Sequence, residues 1–264
     1  MSFQPVVPMS GYVGWKFLNR TMEAQKDAYV QSAPVVRATD HFRAEIGKVT
    51  SVDDFMADRR LLQVALGAFG LDDDIGNIAF IRKVLEEGTV ESDSFANRLS
   101  DSRYVALSET LGFGNLGGAG RTQFTSFAED LIARYEDRQF GIAVGEQNND
   151  MRMALNVASG IEDLLGDQKS ERGRWFAIMG NPPLRSVFET ALGFPSSFGQ
   201  VDIDQQLEQF QDRAMSVLGS GDPADFGDPE LQEKLIRLFL VRSEAQQFQF
   251  SSSASVALSL LQAG

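Results

Sequence analysis

The chain has 264 residues, is 43% hydrophobic, and carries Lys plus Arg 24 against Asp plus Glu 37 for a net charge of −13. That length and apolar content supply one large core or two ordinary ones, while the acidic excess opposes binding to nucleic-acid phosphates and anionic lipid headgroups. With no cysteine, disulfides, thiolate nucleophiles, iron–sulfur clusters and cysteine-ligated zinc are all removed from consideration.

Read from its start, MSFQPVVPMSGYVGWKF lacks the charged opening and continuous apolar stretch of a conventional export signal. Tyr12 to Tyr29 reads as a helix ending before Pro34, and a further helix passes through Phe42 to Ile46 and stops at Gly47. His41, the single histidine, is expected on a helix face, and one histidine cannot build a two-histidine metal site.

Three later segments share a skeleton: FMADRRLLQVALGAFGL (55–71), LSDSRYVALSETLGF (99–113) and IMGNPPLRSVFETALGF (178–194). Each sets Asp58, Asp101 or Asn181 before an amphipathic stretch, and Gly70, Gly112 or Gly193 after it, at separations of 12, 11 and 12 positions. Asp and Asn accept hydrogen bonds from the unpaired N–H groups of a first helical turn, and glycine takes the left-handed conformation that closes the last one. Pro182 and Pro183 fall where a missing N–H costs nothing. These six residues are assigned as structural helix caps.

Between the copies, Asp72, Asp73 and Asp74 are expected to open a helix over Ile75–Glu87, favoured by its dipole; the alternate oxygen ligands and terminal Glu of an EF-hand are missing. GFGNLG (112–117) satisfies G-x-G-x-x-G, but no strand precedes it, and a helix ending that runs into a connector accounts for its glycines. Stripes at Phe124, Phe127, Leu131 and Tyr135, then at Met151, Leu155, Ala158, Ile161 and Leu165, predict one long helix or an antiparallel pair joined near Gly141–Asn149. Ile203, Leu207, Phe210, Ala214 and Val217 mark another helix. Leu231, Leu235, Leu238 and Phe239 mark one more after Asp228–Pro229, with GSGDPADFGDP (219–229) as the loop between them.

Strict apolar–polar alternation never persists, so the fold class expected is all-α: a multi-helical array of repeated capped helices without significant β-sheet. GNLGGAG (114–120) is the boundary candidate. It divides a lead-in helix region (1–34) and a first repeat region (35–115) from a second (116–250), packed with the first as one unit and followed by a Ser-rich tail (251–264) that is either a mobile end or a partner-binding helix. No apolar run approaches the ~20 residues that span a bilayer, so a soluble protein without membrane insertion is expected. No nucleophile, base and stabiliser support one another, and no catalytic residue, metal ligand or cofactor is assigned.

IGKVTSVDDFMADRRLLQVALGAFGLDDD (46–74), FIRKVLEEG (80–88) and SFANRLSDSRY (94–104), with DIDQQLEQF (202–210) and DFGDPELQEKLIRLFL (225–240) downstream, resemble the DUF 1217 family over roughly residues 35–245. The resemblance implies a helical protein of the alphaproteobacteria, often encoded among flagellar genes, and supplies no catalytic residues. The expectation is therefore a non-enzymatic protein that binds a protein partner, possibly flagellar, in flagellar assembly, structure or regulation. It would act in the cytoplasm or as an exported flagellar component. The alternative is an enzyme binding a small molecule or metal through an acidic pocket on a helical scaffold.

Overall fold

The computed structural model describes residues 3–115, 118–165 and 170–262, with side chains described except at 164 and 249–262. Helices α1 (Gly11–Val30), α2 (Ala33–Glu45), α3 (Val52–Ala57), α4 (Arg59–Ala68), α5 (Ile78–Glu87) and α6 (Arg103–Leu111) come first. They are followed by α7 (Thr125–Gly145), α8 (Asn149–Leu165), α9 (Glu171–Met179), α10 (Pro182–Leu192), α11 (Ile203–Leu218) and α12 (Pro229–Gln262). The fold is all-α, and no strand occurs among the described residues.

Helix ends are closed by local chemistry. Asp58 accepts the N–H groups of Arg60 and Leu61 at the start of α4, and Asn181 accepts that of Leu184 at the start of α10. Gly70 (φ 68°) and Gly193 (φ 75°) end those helices in the left-handed region. The next residue closes each turn: Leu71 N–H reaches Leu66 O at 2.9 Å and Phe194 N–H reaches Glu189 O at 2.9 Å. Leu71 and Phe194 are buried, so each reversal also folds an apolar side chain into the core. Gly112 (φ 72°) closes α6 with a single bond, its N–H reaching Ser108 O at 2.9 Å.

The middle copy differs at its opening. Ser102, in helical conformation, stands between Asp101 and α6, and the Asp101 carboxylate accepts the N–H of Arg103 at 3.0 Å. Its counterpart in geometry is Asp228, which accepts the N–H of Glu230 at 2.7 Å at the start of α12. The expected helix at Ile75–Glu87 is also split: the three aspartates form a 3-10 turn, Asp72–Gly76, and α5 begins only after Asn77.

The chain divides into two compact units, residues 1–6 with 21–144, and residues 7–20 with 145–264. The division at Val144–Gly145 replaces the boundary expected within 114–120. The glycines there serve a contact inside the first unit: a Cβ on Gly114 would lie 2.4 Å from Gly88 N, so two backbones touch where only glycine fits. Asn115 adds a bracket, accepting the N–H of Thr89 at 2.8 Å.

In the first unit α4 packs on α2 and α3, and α5 on α3 and α6. Phe42, Phe55, Leu61, Leu62, Leu66, Ile81, Leu85, Leu107 and Leu131 fill its core. In the second unit α10 packs against α8, α9, α11 and α12. An aromatic group fills the centre: Trp175 stacks on Phe210 at 5.5 Å and meets Phe188 edge-on at 5.6 Å, and Phe188 meets Phe226 at 5.3 Å. Phe226 and Pro223 are buried in a 3-10 turn, Pro223–Gly227, so the expected 219–229 loop is structured and part of the core. The phase of α8 also differs, with Met151, Ala154, Val157 and Ile161 buried while Ala158 and Leu165 are exposed.

Each unit repeats a local plan. Ser51 caps α3, Asp58 caps α4, Gly70 closes it, and a 3-10 turn leads to α5; Ser170 caps α9, Asn181 caps α10, Gly193 closes it, and a 3-10 turn leads to α11. In both, an arginine of a later helix covers a carbonyl at the closed end, Arg103 on Gly70 O and Arg242 on Ala191 O at 2.6 Å. Cations there complement the helix dipole. Gly193→Ala is expected to cost about 1–2 kcal/mol from the left-handed backbone alone, and its Cβ, 2.7 Å from Arg242 Nη1, would displace the guanidinium. Urea denaturation should show a lowered midpoint for Gly193→Ala and none for Gly199→Ala, whose Cβ has room.

Candidate functional site

The six cap residues are held in structural bonds, and those of the first unit gather further partners. His41, on α2, places Nε2 2.6 Å from Asp58 Oδ2, while Asp58 Oδ1 caps α4. One carboxylate therefore ties α2 to the start of α4. Burial raises the Asp58 pKa, but the bonds from His41, Arg60 and Leu61 outweigh it and hold the carboxyl below its ordinary value.

Around the closed end of α4 lies the most polar cluster of the first unit. Gln139 Nε2 donates to Asp72 Oδ1 at 2.7 Å, Tyr104 Oη donates to Asp74 Oδ2 at 2.7 Å, and Arg103 pairs with Asp101 at 2.7 Å while reaching Gly70 O. Burial pushes the Asp72 carboxyl up and the Tyr135 phenol up to about 12, the latter also facing Tyr29 and Asp72. A Cβ on Gly67 would fall 2.8 Å from the Tyr135 ring and 3.2 Å from Asp72 Oδ1. The space behind Asp72 is thus filled by protein, and its bond brackets α7 to the turn after α4. Among the described residues no group of three or more His, Cys, Asp or Glu is arranged to hold a metal ion.

The second unit has its own polar node. Glu233 on α12 accepts Tyr12 Oη at 2.6 Å and Trp15 Nε1 at 3.1 Å, and pairs with Lys16 Nζ at 2.5 Å. Burial raises the Glu233 pKa, yet the bonds from Lys16, Tyr12 and Trp15 prevail and lower it. Nearby in sequence, Lys234 Nζ donates to Leu218 O, and Arg174 grips Asp222, which caps the Pro223–Gly227 turn. Glu233, Arg103, Arg174 and Arg242 were not singled out from the sequence, because each meets a partner far away along the chain.

In GFGNLG, Gly112 is a helix closure and Gly114 a backbone contact; its last two residues, 116 and 117, lie outside the described residues. Apolar side chains also stand exposed. In the second unit Met9, Val13, Val241 and Phe248 are exposed, Phe248 at 70%. The Ser-rich tail continues α12 as helix to Gln262, its side chains lying outside the described residues. No helix among the described residues is long and apolar enough to cross a membrane.

Two compact helical units, closed by caps and tertiary brackets, define an all-α protein. The family described as "Protein of unknown function (DUF1217)" matches residues 68–231, and the chain belongs to that family. The match starts at Ala68, so most of the 46–74 block that suggested the resemblance precedes it. The crystal structure of protein AGR_C_984 from Agrobacterium tumefaciens is similar, with 30% identity and a TM-score of 0.74 over 92% of this chain and 99% of that one. None of the curated proteins matches.

Two outcomes check these brackets. Asp58→Asn keeps a capping acceptor but loses the carboxylate. Because the folded pKa of Asp58 is depressed, its charge contributes stability above the unfolded value of about 3.9 and loses it as pH falls through the folded value. The stability gap between wild type and Asp58→Asn, followed by urea denaturation across pH, should be full at pH 7 and close in acid below about pH 4. Glu233→Ala strands the Tyr12, Trp15 and Lys16 donors and should cost about 2–3 kcal/mol, with a smaller loss in Glu233→Gln.

Proposed function

We propose that this chain is a non-enzymatic protein of the flagellar system that binds a protein partner in flagellar assembly, structure or regulation. The observation that supports the interaction half is the contrast just described. Asp58, Asn181, His41, Asp72 and Trp175 are engaged in caps, brackets and the core, whereas large apolar side chains such as Phe248 and Val241 stand exposed on α12. Exposed apolar side chains on a strongly acidic chain suit selective protein contact, the charge suppressing non-specific association. The flagellar half rests on the company of the family resembled. Its place is the cytoplasm, with export through the flagellar apparatus as the second possibility.

Affinity capture of the full chain from native cells, paired with a swimming assay of a deletion strain, tests both halves. Reduced swimming together with a captured flagellar protein is the expected result. Normal swimming with no flagellar protein captured would remove the flagellar reading.

A further inference from the structure

Residues 7–20 belong to the second unit, although the chain on both sides of them belongs to the first. The residues that flank them are tied together by an amide. Gln25 Oε1 accepts the N–H of Val6 at 2.6 Å, and Gln25 Nε2 donates to Val6 O at 3.3 Å and to Thr21 Oγ1 at 2.7 Å. The stretch between is therefore a closed loop, an irregular lead followed by the first half of α1. Gly14 lets the lead fold over the helix and the helix sit on α8: a Cβ there would fall 2.0 Å from Met9 O and 3.0 Å from Met151 Cε.

The loop is seated in the second unit by an apolar hold and an ionic one. Trp15 and Leu18 are buried. The ionic hold converges on α12, where Tyr12, Trp15 and Lys16 all end on Glu233, and Ser10 Oγ donates to Glu244 Oε1 at 3.3 Å. Bonds to an ionised acceptor are about twice as strong as neutral ones, so three donors of the loop depend on a single charge. That charge is within reach of solvent, the Glu233 side chain being 31% exposed and that of Lys16 55%.

The charged groups around Glu233 are Lys16 on α1, and Glu230 and Arg237 within about a turn on α12, while Lys234 is turned to Leu218 O. On the elements packed against α12, Asp150 of α8 accepts Ser243 and Gln247, Arg185 and Glu189 of α10 pair with each other, Arg213 of α11 lies over Phe194, and Asp222 pairs with Arg174.

We infer that residues 7–20 are a strap latched to the second unit by the charge on Glu233, and that the strap lifts, its ends still joined through Gln25, when that charge is neutralised. The joined ends keep the motion local, since reseating requires no long loop to close. They are joined by an amide that does not titrate, so acid acts on the seat and not on the tie. Burial raises the Glu233 pKa, but the bonds from Lys16, Tyr12 and Trp15 prevail and hold it below its ordinary value. The latch is therefore full above the released value of about 4.3 and is lost as pH falls through the seated value.

Hydrogen exchange of the full chain, read segment by segment, tests this. Glu233→Gln keeps the shape of the side chain and removes its charge. At pH 7 it should speed the amides of residues 12–20 by about tenfold or more, with residues 21–30 of the same helix and those of α10 unchanged. Tyr12→Phe, which deletes one donor, should speed the same amides by a smaller factor. In the wild type a drop from pH 7 to about pH 3, corrected for intrinsic exchange, should reproduce the effect of Glu233→Gln, and in that variant it should add less than about twofold. Exchange of residues 12–20 in step with α10 in the variant or in acid, a Glu233→Gln variant that matches the wild type, or an acid response that survives in it would overturn the latch.

Discussion

The constraint on which the structure depends is the satisfaction of carbonyl groups where a helix must stop at a buried point. α4 and α10 each sit at the centre of a unit and end with the following residue inside the core, so the chain must reverse within one or two residues. A left-handed glycine makes the reversal without steric cost, the bonds of Leu71 and Phe194 take up two inner carbonyls, and Arg103 or Arg242 covers another. With the ends fixed in this way, the amphipathic faces of the neighbouring helices meet at set positions. Both units obey the same solution with different residues, which is why Asp58 and Asn181 are equivalent despite differing in charge.

Features whose partners lie within a few residues were legible in the sequence. Asp58, Asn181, Gly70, Gly112 and Gly193 act on groups no more than five positions away, and the spacing that revealed them is the helix itself. Asp101 was read one station early because Ser102 adopts helical angles without being counted in the helix. The unit boundary was misplaced for a physical reason: glycine-rich composition suggests a linker, but Gly114 is needed for close contact with Gly88, while the division at Val144–Gly145 falls where the sequence reads only as a join between two helices. The side of α8 that faces the core was likewise mistaken at Ala158, since small apolar residues are tolerated on either face.

The brackets between helices were invisible to any local reading. His41 and Asp58 are 17 positions apart, Gln139 and Asp72 are 67, and Glu233 lies 218 from Trp15. Nothing about a lone Glu among Leu and Lys announces that it collects three donors. These bonds engage residues that, taken from the sequence alone, invite chemical roles: the single histidine meets a cap, Asp72 and Asp74 of the aspartate run brace a turn, and the Asp72 carboxyl has its flank filled by Tyr135 and Gly67.

Helix α1 is shared, its residues 11–20 belonging to one unit and 21–30 to the other. During synthesis this has an order of events built in. The unit centred on α4 has all its residues once Val144 leaves the ribosome, but Tyr12 and Trp15 must wait for Glu233, made more than two hundred residues later. Until then Tyr12 and Trp15 lack the acceptor that both donors share. The earliest donors made are among the last to be satisfied, and a chain interrupted before α12 would leave both without that acceptor.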